Sequence, residues 1–126
     1  MHNVDNRPRF LNLFAIHFPL PAITSILHRL SGLFMFALII PALYVFDLSL
    51  QGEQGFLIVQ KLMHHGFVVF LSVALVWALT QHLLAGIRFL LLDIHIGDER
   101  KKAAHSARWV NLVALLVAVY YLGYRL

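Results

Sequence analysis

Three long apolar stretches constrain what this chain of 126 residues can fold into. They occupy about residues 23–46, 65–92 and 107–124. A helix needs roughly 20 residues to cross the hydrocarbon of a bilayer, and about 17 is the lower limit. The first two stretches exceed this length, and the third reaches it only when it runs from Ala107 to Tyr124. The pattern predicts an all-α integral membrane protein, a single transmembrane domain that forms a three-helix bundle.

The composition agrees with a membrane protein and excludes several classes of function. Hydrophobic residues make up 60% of the chain and charged residues 13%, about half of the roughly 25% that is usual in soluble domains. Cysteine is absent, which excludes disulfides, iron–sulfur ligation and thiolate nucleophiles within this chain. The basic residues are too scattered to form a stripe that binds nucleic acid. We therefore expect the bilayer, and no nucleic acid, at its surface.

The distribution of positive charge predicts the orientation of the helices. The two connectors run from Asp47 to Gly55 and from Asp93 to Arg108. Eight of the ten basic residues belong to the amino-terminal side or lie around the second connector, and only Lys61 and Arg125 belong to the opposite side. Because basic segments are retained in the cytoplasm, we expect the amino terminus and the second connector there. The first twenty residues lack the features of a signal peptide, so the first helix should remain in the mature protein.

Polar residues inside the first stretch form one candidate site. An ionisable side chain at membrane depth costs about 2.5–3.5 kcal/mol on insertion scales and is a functional candidate for that reason. Ser25, His28, Arg29 and Gly32 follow i, i+3, i+4 and i+7 spacing, which places them on one face of a helix.

The second stretch contributes His82, about 9 Å above the cytoplasmic exit near Arg88 at the rise of a helix. His28 and Arg29 lie at a similar depth, so the two groups could face one another. Ala78 and Gly86, one turn to either side of His82, would let a flat macrocycle or another helix approach closely. This arrangement suits a haem whose iron is held by an imidazole and whose propionates turn towards Arg and His.

The residues alone leave alternatives open at both places. His82 fits an iron ligand, and it fits equally a histidine that is hydrogen-bonded across helices. Ser25 and Arg29 offer a hydroxyl and a guanidinium that could donate to the carbonyl groups of a quinone. The same pair also fits an arginine that reaches the lipid phosphates and a serine bonded to its own backbone, and the spacing by itself favours this second interpretation.

Two ordered motifs resemble a known family. The segment SILHRLSG, from Ser25 to Gly32, follows an Arg-Pro near the start of the chain, and HLLAGIRFLLLD runs from His82 to Asp93. Both are similar to the signatures of the cytochrome b556 subunit of succinate dehydrogenase, in order and in separation. The resemblance covers most of the chain, although the third stretch carries no motif.

The resemblance implies roles for individual residues. His82 matches the axial haem ligand, and the second ligand in that family usually comes from a histidine of a partner anchor subunit. Ser25 and Arg29 match residues of the quinone site, and His28 and Arg29 match positions near the haem propionates. The family commonly has a histidine directly after Gly-Ile-Arg, where this chain has Phe89, so any role of that histidine is lost here.

The function implied by the resemblance is that of half of a heterodimeric haem-b-binding anchor in a bacterial inner membrane. Such an anchor docks an iron–sulfur subunit and a flavoprotein subunit at the cytoplasmic face, and electrons from succinate reach a quinone. This chain would bind and position the haem and the quinone, and would catalyse no reaction by itself. Two rival interpretations are a haem-free structural anchor and a self-contained cytochrome that uses both His28 and His82 as iron ligands.

Overall fold

The computed structural model describes residues 17–126. Within that range the chain forms four helices and no strand: α1 (Leu20–Leu50), α2 (Glu53–Met63), α3 (Gly66–Asp93) and α4 (Arg100–Arg125). Helices α1, α3 and α4 are each long and apolar enough to cross a membrane. The predicted all-α membrane bundle with three spanning helices is confirmed, and α2 is an additional helix.

The spanning helices extend beyond the apolar stretches from which they were predicted. Helix α1 begins at Leu20, because Pro21 lies in the first turn, where a missing N–H removes no helical hydrogen bond. Helix α4 begins at Arg100 and so includes residues that we expected in the second connector. Arg, Lys and Ala are good helix formers, so the helix continues where the apolar residues stop. Apolar length therefore marks where a helix crosses the lipid, whereas helix propensity decides where it ends.

The short helix α2 corrects the expected first connector, which we placed at Asp47 to Gly55. The helix begins at Glu53, inside that segment, and ends at Met63. Its 11 residues span about 16 Å, roughly half the thickness of the hydrocarbon, so it cannot cross the bilayer. Phe56, Leu57 and Ile58 expose more than half of their surface. A short helix with exposed apolar and polar residues has the composition of an element that lies in the membrane interface.

Two close contacts fix α2 against the other helices. Gly55 lies so near the carbonyl oxygen of Leu48 that a Cβ at this position would overlap it, which is why glycine stands at the corner between α1 and α2. At the other end of α2, Arg125 donates a hydrogen bond to the carbonyl oxygen of Met63. A cation at the carboxyl end of a helix is favourable because the last carbonyls have no partner within the helix. The end of α4 is thus tied to the end of α2.

Helices α3 and α4 pack through small side chains. Ala78 and Ala85 of α3 and Ala107, Ala114 and Ala118 of α4 are buried, while most of the large apolar side chains are exposed on the outer surface of the bundle. Small residues at a helix interface let the backbones approach closely in lipid, where burying large apolar groups gives no hydrophobic advantage. The inside of this bundle is therefore made of small and polar residues.

Candidate functional site

The structure brings His28 of α1 and His82 of α3 into contact. Their rings are stacked, with 4.1 Å between the ring centroids and 11° between the ring planes. Both side chains are half-buried at the seam between the two helices. The two motifs that the sequence analysis singled out therefore meet at one point, although 54 positions separate the two histidines in the chain.

A hydrogen bond fixes which nitrogen of His82 carries its proton. The Nδ1 atom lies 3.0 Å from the carbonyl oxygen of His28. A carbonyl oxygen can only accept, so Nδ1 must donate, and the lone pair of the neutral ring is on Nε2. Ser31 donates its hydroxyl to the same carbonyl over 2.9 Å, and its oxygen is 3.4 Å from Nδ1 of His82. The main chain and hydroxyl of α1 thus orient the imidazole of α3.

A glycine of each helix lies against the stacked rings. A Cβ built on Gly32 would lie 2.8 Å from Cε1 and 3.2 Å from Nδ1 of His82. A Cβ built on Gly86 would lie 3.5 Å from Nε2 of His28, which is an ordinary van der Waals contact. Any side chain at position 32 would therefore clash with His82 in its observed position.

Phe89 covers the site on the side nearer the carboxyl end of α3. Its ring meets that of His28 edge-on, with 5.3 Å between centroids and 75° between planes. The guanidinium carbon of Arg88 lies 5.3 Å from the centroid of the Phe89 ring. The Phe89 ring therefore forms an aromatic wall against the edge of His28.

One side of His82 faces a shallow groove of about 420 Å³ on the outside of the bundle. The groove lies between Met35 of α1 and the residues Leu79, Thr80, Leu83 and Leu84 of α3. Residues 17–126 contain no group of three or more His, Cys, Asp or Glu side chains that could hold a metal ion by themselves. A metal at His82 would therefore need most of its ligands from a cofactor or from outside residues 17–126.

Ser25 and Arg29 lie on α1 beside the stacked histidines. Ser25 is half-buried and Arg29 is exposed. Within residues 17–126, neither side chain forms a hydrogen bond or an ion pair with another residue. No residue of the part of the chain that the structure describes therefore occupies either group.

A buried polar cluster joins all three spanning helices, and the sequence analysis missed it. Asn111 of α4 donates its amide to the hydroxyl oxygen of Thr24 on α1 over 3.1 Å, and its carbonyl oxygen accepts from Nε2 of Gln81 on α3 over 2.9 Å. Thr24 and Gln81 are fully buried. The signal was present in the sequence, since each spanning stretch holds one such polar residue and polar groups in lipid seek a partner on another helix. The third stretch carries no motif, so Asn111 did not stand out as a candidate.

Comparison with known proteins gives one family over nearly the whole chain. Residues 3–121 match the succinate dehydrogenase/fumarate reductase transmembrane subunit family. The succinate dehydrogenase cytochrome b556 subunit of Coxiella burnetii is 31% identical over 116 residues, which are 89% of this chain and 93% of the relative. The subunit of the same description in Paracoccus denitrificans is 29% identical over 117 residues, or 93% of this chain and 90% of the relative.

Proposed function

The chain belongs to the succinate dehydrogenase/fumarate reductase transmembrane subunit family, and from this premise we propose that it binds haem b together with a second anchor subunit and forms part of a quinone site. In this role His82 is the axial ligand that this chain contributes. Ser25 and Arg29 contact the quinone, and His28 and Arg29 lie near the haem propionates. Both relatives named above carry cytochrome b556 in their descriptions, which supports a b-type haem.

The observation that carries the proposal is the hydrogen bond from Nδ1 of His82 to the carbonyl of His28. Histidines that bind metals nearly always donate their other N–H to a carbonyl or carboxylate, which fixes the tautomer and makes the free nitrogen more basic. His82 meets this condition and faces a groove at the surface of the bundle. A porphyrin supplies four equatorial ligands, so a site with a single imidazole from this chain fits haem better than a bare metal ion.

The stacked geometry supports a second ligand from another subunit. Two axial ligands must approach the iron from opposite faces of the porphyrin. His28 instead lies parallel to His82 with 4.1 Å between centroids, so no porphyrin fits between the two rings. This argues against a self-contained cytochrome that uses His28 and His82. When bound, haem supplies a one-electron carrier, and the residues of this chain hold and orient it.

Ser25 and Arg29 suit the two carbonyl oxygens of a quinone. Reduction to the quinol takes up two electrons and two protons, and negative charge develops on these oxygens. A guanidinium donates hydrogen bonds but does not release its proton, so Arg29 would orient the quinone and stabilise that charge. A hydroxyl can both donate and accept, so Ser25 would hold a carbonyl oxygen and pass a proton from water.

The partners of the complex would supply the remaining chemistry. Succinate would be oxidised on a flavoprotein subunit, and electrons would pass through an iron–sulfur subunit, since this chain has no cysteine to hold a cluster. We place the amino terminus and the start of α4 on the cytoplasmic side of a bacterial inner membrane, because eight of the ten basic residues lie there. The two catalytic subunits would dock at that face.

An optical difference spectrum tests the haem part of the proposal. We expect the complex purified with its partner subunits to show b-type haem bands when succinate reduces it. The variant His82→Ala should lose these bands, whereas His64→Ala, at the other end of the bundle, should keep them. Full haem content in His82→Ala would indicate a ligand elsewhere, and haem retained by this chain without partners would favour a self-contained cytochrome.

Two activities measured on the same complex test the quinone part. Ser25→Ala and Arg29→Lys should each lower succinate:quinone reductase activity about tenfold or more, since a lost donor to developing charge costs at least this much. Succinate oxidation with an artificial acceptor that takes electrons from the flavoprotein should be unchanged. Ser49→Ala is the control, because the hydroxyl of Ser49 is exposed and bonds only to its own helix. Equal loss of both activities would show that the variants disturb assembly and not the quinone.

A further inference from the structure

Arg88 is a buried cation at the end of α3. Only 5% of the surface of this residue is exposed. Its Nε atom donates to the hydroxyl of Ser106 over 3.0 Å, and Nη2 donates to the carbonyl of Ala103 over 2.9 Å. Both acceptors belong to α4, so Arg88 fastens the end of α3 to the beginning of α4. Both acceptors are also neutral.

The charge of Arg88 has no counter-ion among residues 17–126. The ion pairs in this range join His95 to Asp98 and Lys102 to Glu99, and neither includes Arg88. The third guanidinium nitrogen, Nη1, is buried and has no hydrogen-bond partner in the same range. A buried charge without a partner is costly, and a donor left unsatisfied adds to that cost. The site therefore favours an anion that this part of the chain does not provide.

A groove of about 310 Å³ lies beside Arg88, at the junction of α3 and α4. Its walls include Leu84, Ile87 and Leu91, and its polar lining is Arg88, Lys102 and Ser106. No carboxylate of residues 17–126 lines it. Ile87 is 48% exposed and Leu91 is 41% exposed, so the apolar wall is open to the surrounding lipid.

We propose that this groove binds the phosphate of an anionic membrane phospholipid. The phosphate oxygens would lie at the polar lining, where Arg88 provides the uncompensated charge and Ser106 provides a hydroxyl. Lys102, whose ammonium also pairs with Glu99 over 2.7 Å, provides a second positive group. An acyl chain would cover Ile87 and Leu91. A free phosphate ion shares the first interaction but gains nothing from the apolar wall, so a lipid is the better source of the anion. None of Ser25, His28, Arg29 or His82 lines the groove, and the proposal does not depend on haem or quinone.

The test titrates the purified complex with lipid and counts bound molecules by native mass spectrometry. The probes are phosphatidylglycerol, phosphatidylcholine and inorganic phosphate. Lys102→Gln removes one charge without touching the contacts between Arg88 and α4, and should weaken phosphatidylglycerol binding about fivefold. Ile87→Trp should fill the groove and abolish the binding. Arg88→Gln should also abolish it, provided that the assembly of this variant equals that of the parent.

Arg108→Gln is the matched control, because Arg108 is an exposed basic residue of α4 that lies outside the groove. It should bind phosphatidylglycerol as the parent does. Equal binding by all variants would refute the site, and displacement of lipid by inorganic phosphate at similar concentration would identify a free anion as the ligand. Absence of bound lipid on the parent would mean that a protein carboxylate neutralises Arg88. The haem bands of Lys102→Gln and of the parent are measured on the same preparations. Equal bands together with weaker lipid binding would show that the lipid site and the haem site are independent.

Discussion

Replacing Gly32 by alanine should displace His82 while lowering the stability of the bundle by no more than about 2 kcal/mol. The new Cβ would lie 2.8 Å from Cε1 of His82, whereas carbon atoms in contact prefer about 3.5–4.0 Å. The imidazole would have to move by about 1 Å to restore that separation. Such a movement breaks the hydrogen bond to the carbonyl of His28 and the stacking between the two rings.

The energies of these changes partly offset one another. A hydrogen bond of this kind contributes about 0.5–1.5 kcal/mol, and an aromatic stack contributes a similar amount. Alanine in a helix is about 1 kcal/mol more favourable than glycine, which offsets part of the loss. We expect the free energy of unfolding to fall by about 0–2 kcal/mol. Nε2 of His82, which we propose as the nitrogen that binds the haem iron, would in contrast move away from the position that the hydrogen bond of Nδ1 gives it.

Haem content and thermal stability measured on the same preparation distinguish these two effects. We expect Gly32→Ala to lose most of its haem, or to shift its reduced band and its potential, with little change in the thermal midpoint. Gly123→Ala is the control, because it gives the same gain in helix propensity and its Cβ would meet nothing within 4 Å. A Gly32→Ala complex with the haem content, spectrum and potential of the parent would refute the argument.

Three further predictions concern the rest of the bundle. Gly55→Ala should lower the thermal midpoint of the purified complex, because its Cβ would overlap the carbonyl of Leu48, and a midpoint equal to the parent's would contradict this. Asn111→Leu should destabilise the bundle by about 1–3 kcal/mol, as it leaves buried polar groups unpaired, and adding Gln81→Leu should recover part of that loss; a double variant less stable than the single one would oppose the assignment. Arg125→Gln should make the α2 segment more susceptible to proteolysis without changing haem content, and unaltered cleavage would show that the contact with α2 contributes nothing.

The sequence predicted the spanning helices well because their signal is simple. Length and hydropathy decide which segments enter a bilayer, and neither depends on contacts with other parts of the folded chain. Helix α2 escaped this reasoning because it is too short to span, and we considered only stretches long enough to do so. Its position depends on the corner at Gly55 and on the contact with Arg125. Both are contacts between α2 and residues of other helices, which the sequence of α2 does not show.

The candidate site was predictable in its residues and not in its geometry. Helical rise placed His28 and His82 at a similar depth, which is why they were expected to face each other. The stacking of the rings and the tautomer of His82 depend on a main-chain carbonyl and on the absence of a Cβ at Gly32. No side-chain pattern encodes those two features. Arg88 was counted only as a topogenic charge, because nothing in the sequence showed that it would be buried against α4.

The hydroxyl groups of α1 have a consequence for biosynthesis. Thr24 donates to the carbonyl of Leu20, and Ser31 donates to that of His28, so both are satisfied within their own helix. These two hydroxyls therefore need no partner on another helix before the later helices are made. The amide of Gln81 has no such local partner, and Asn111 follows it by 30 residues. At about 5–20 residues per second the ribosome needs roughly 2–6 s to supply that partner, so the amide of Gln81 spends this interval without Asn111.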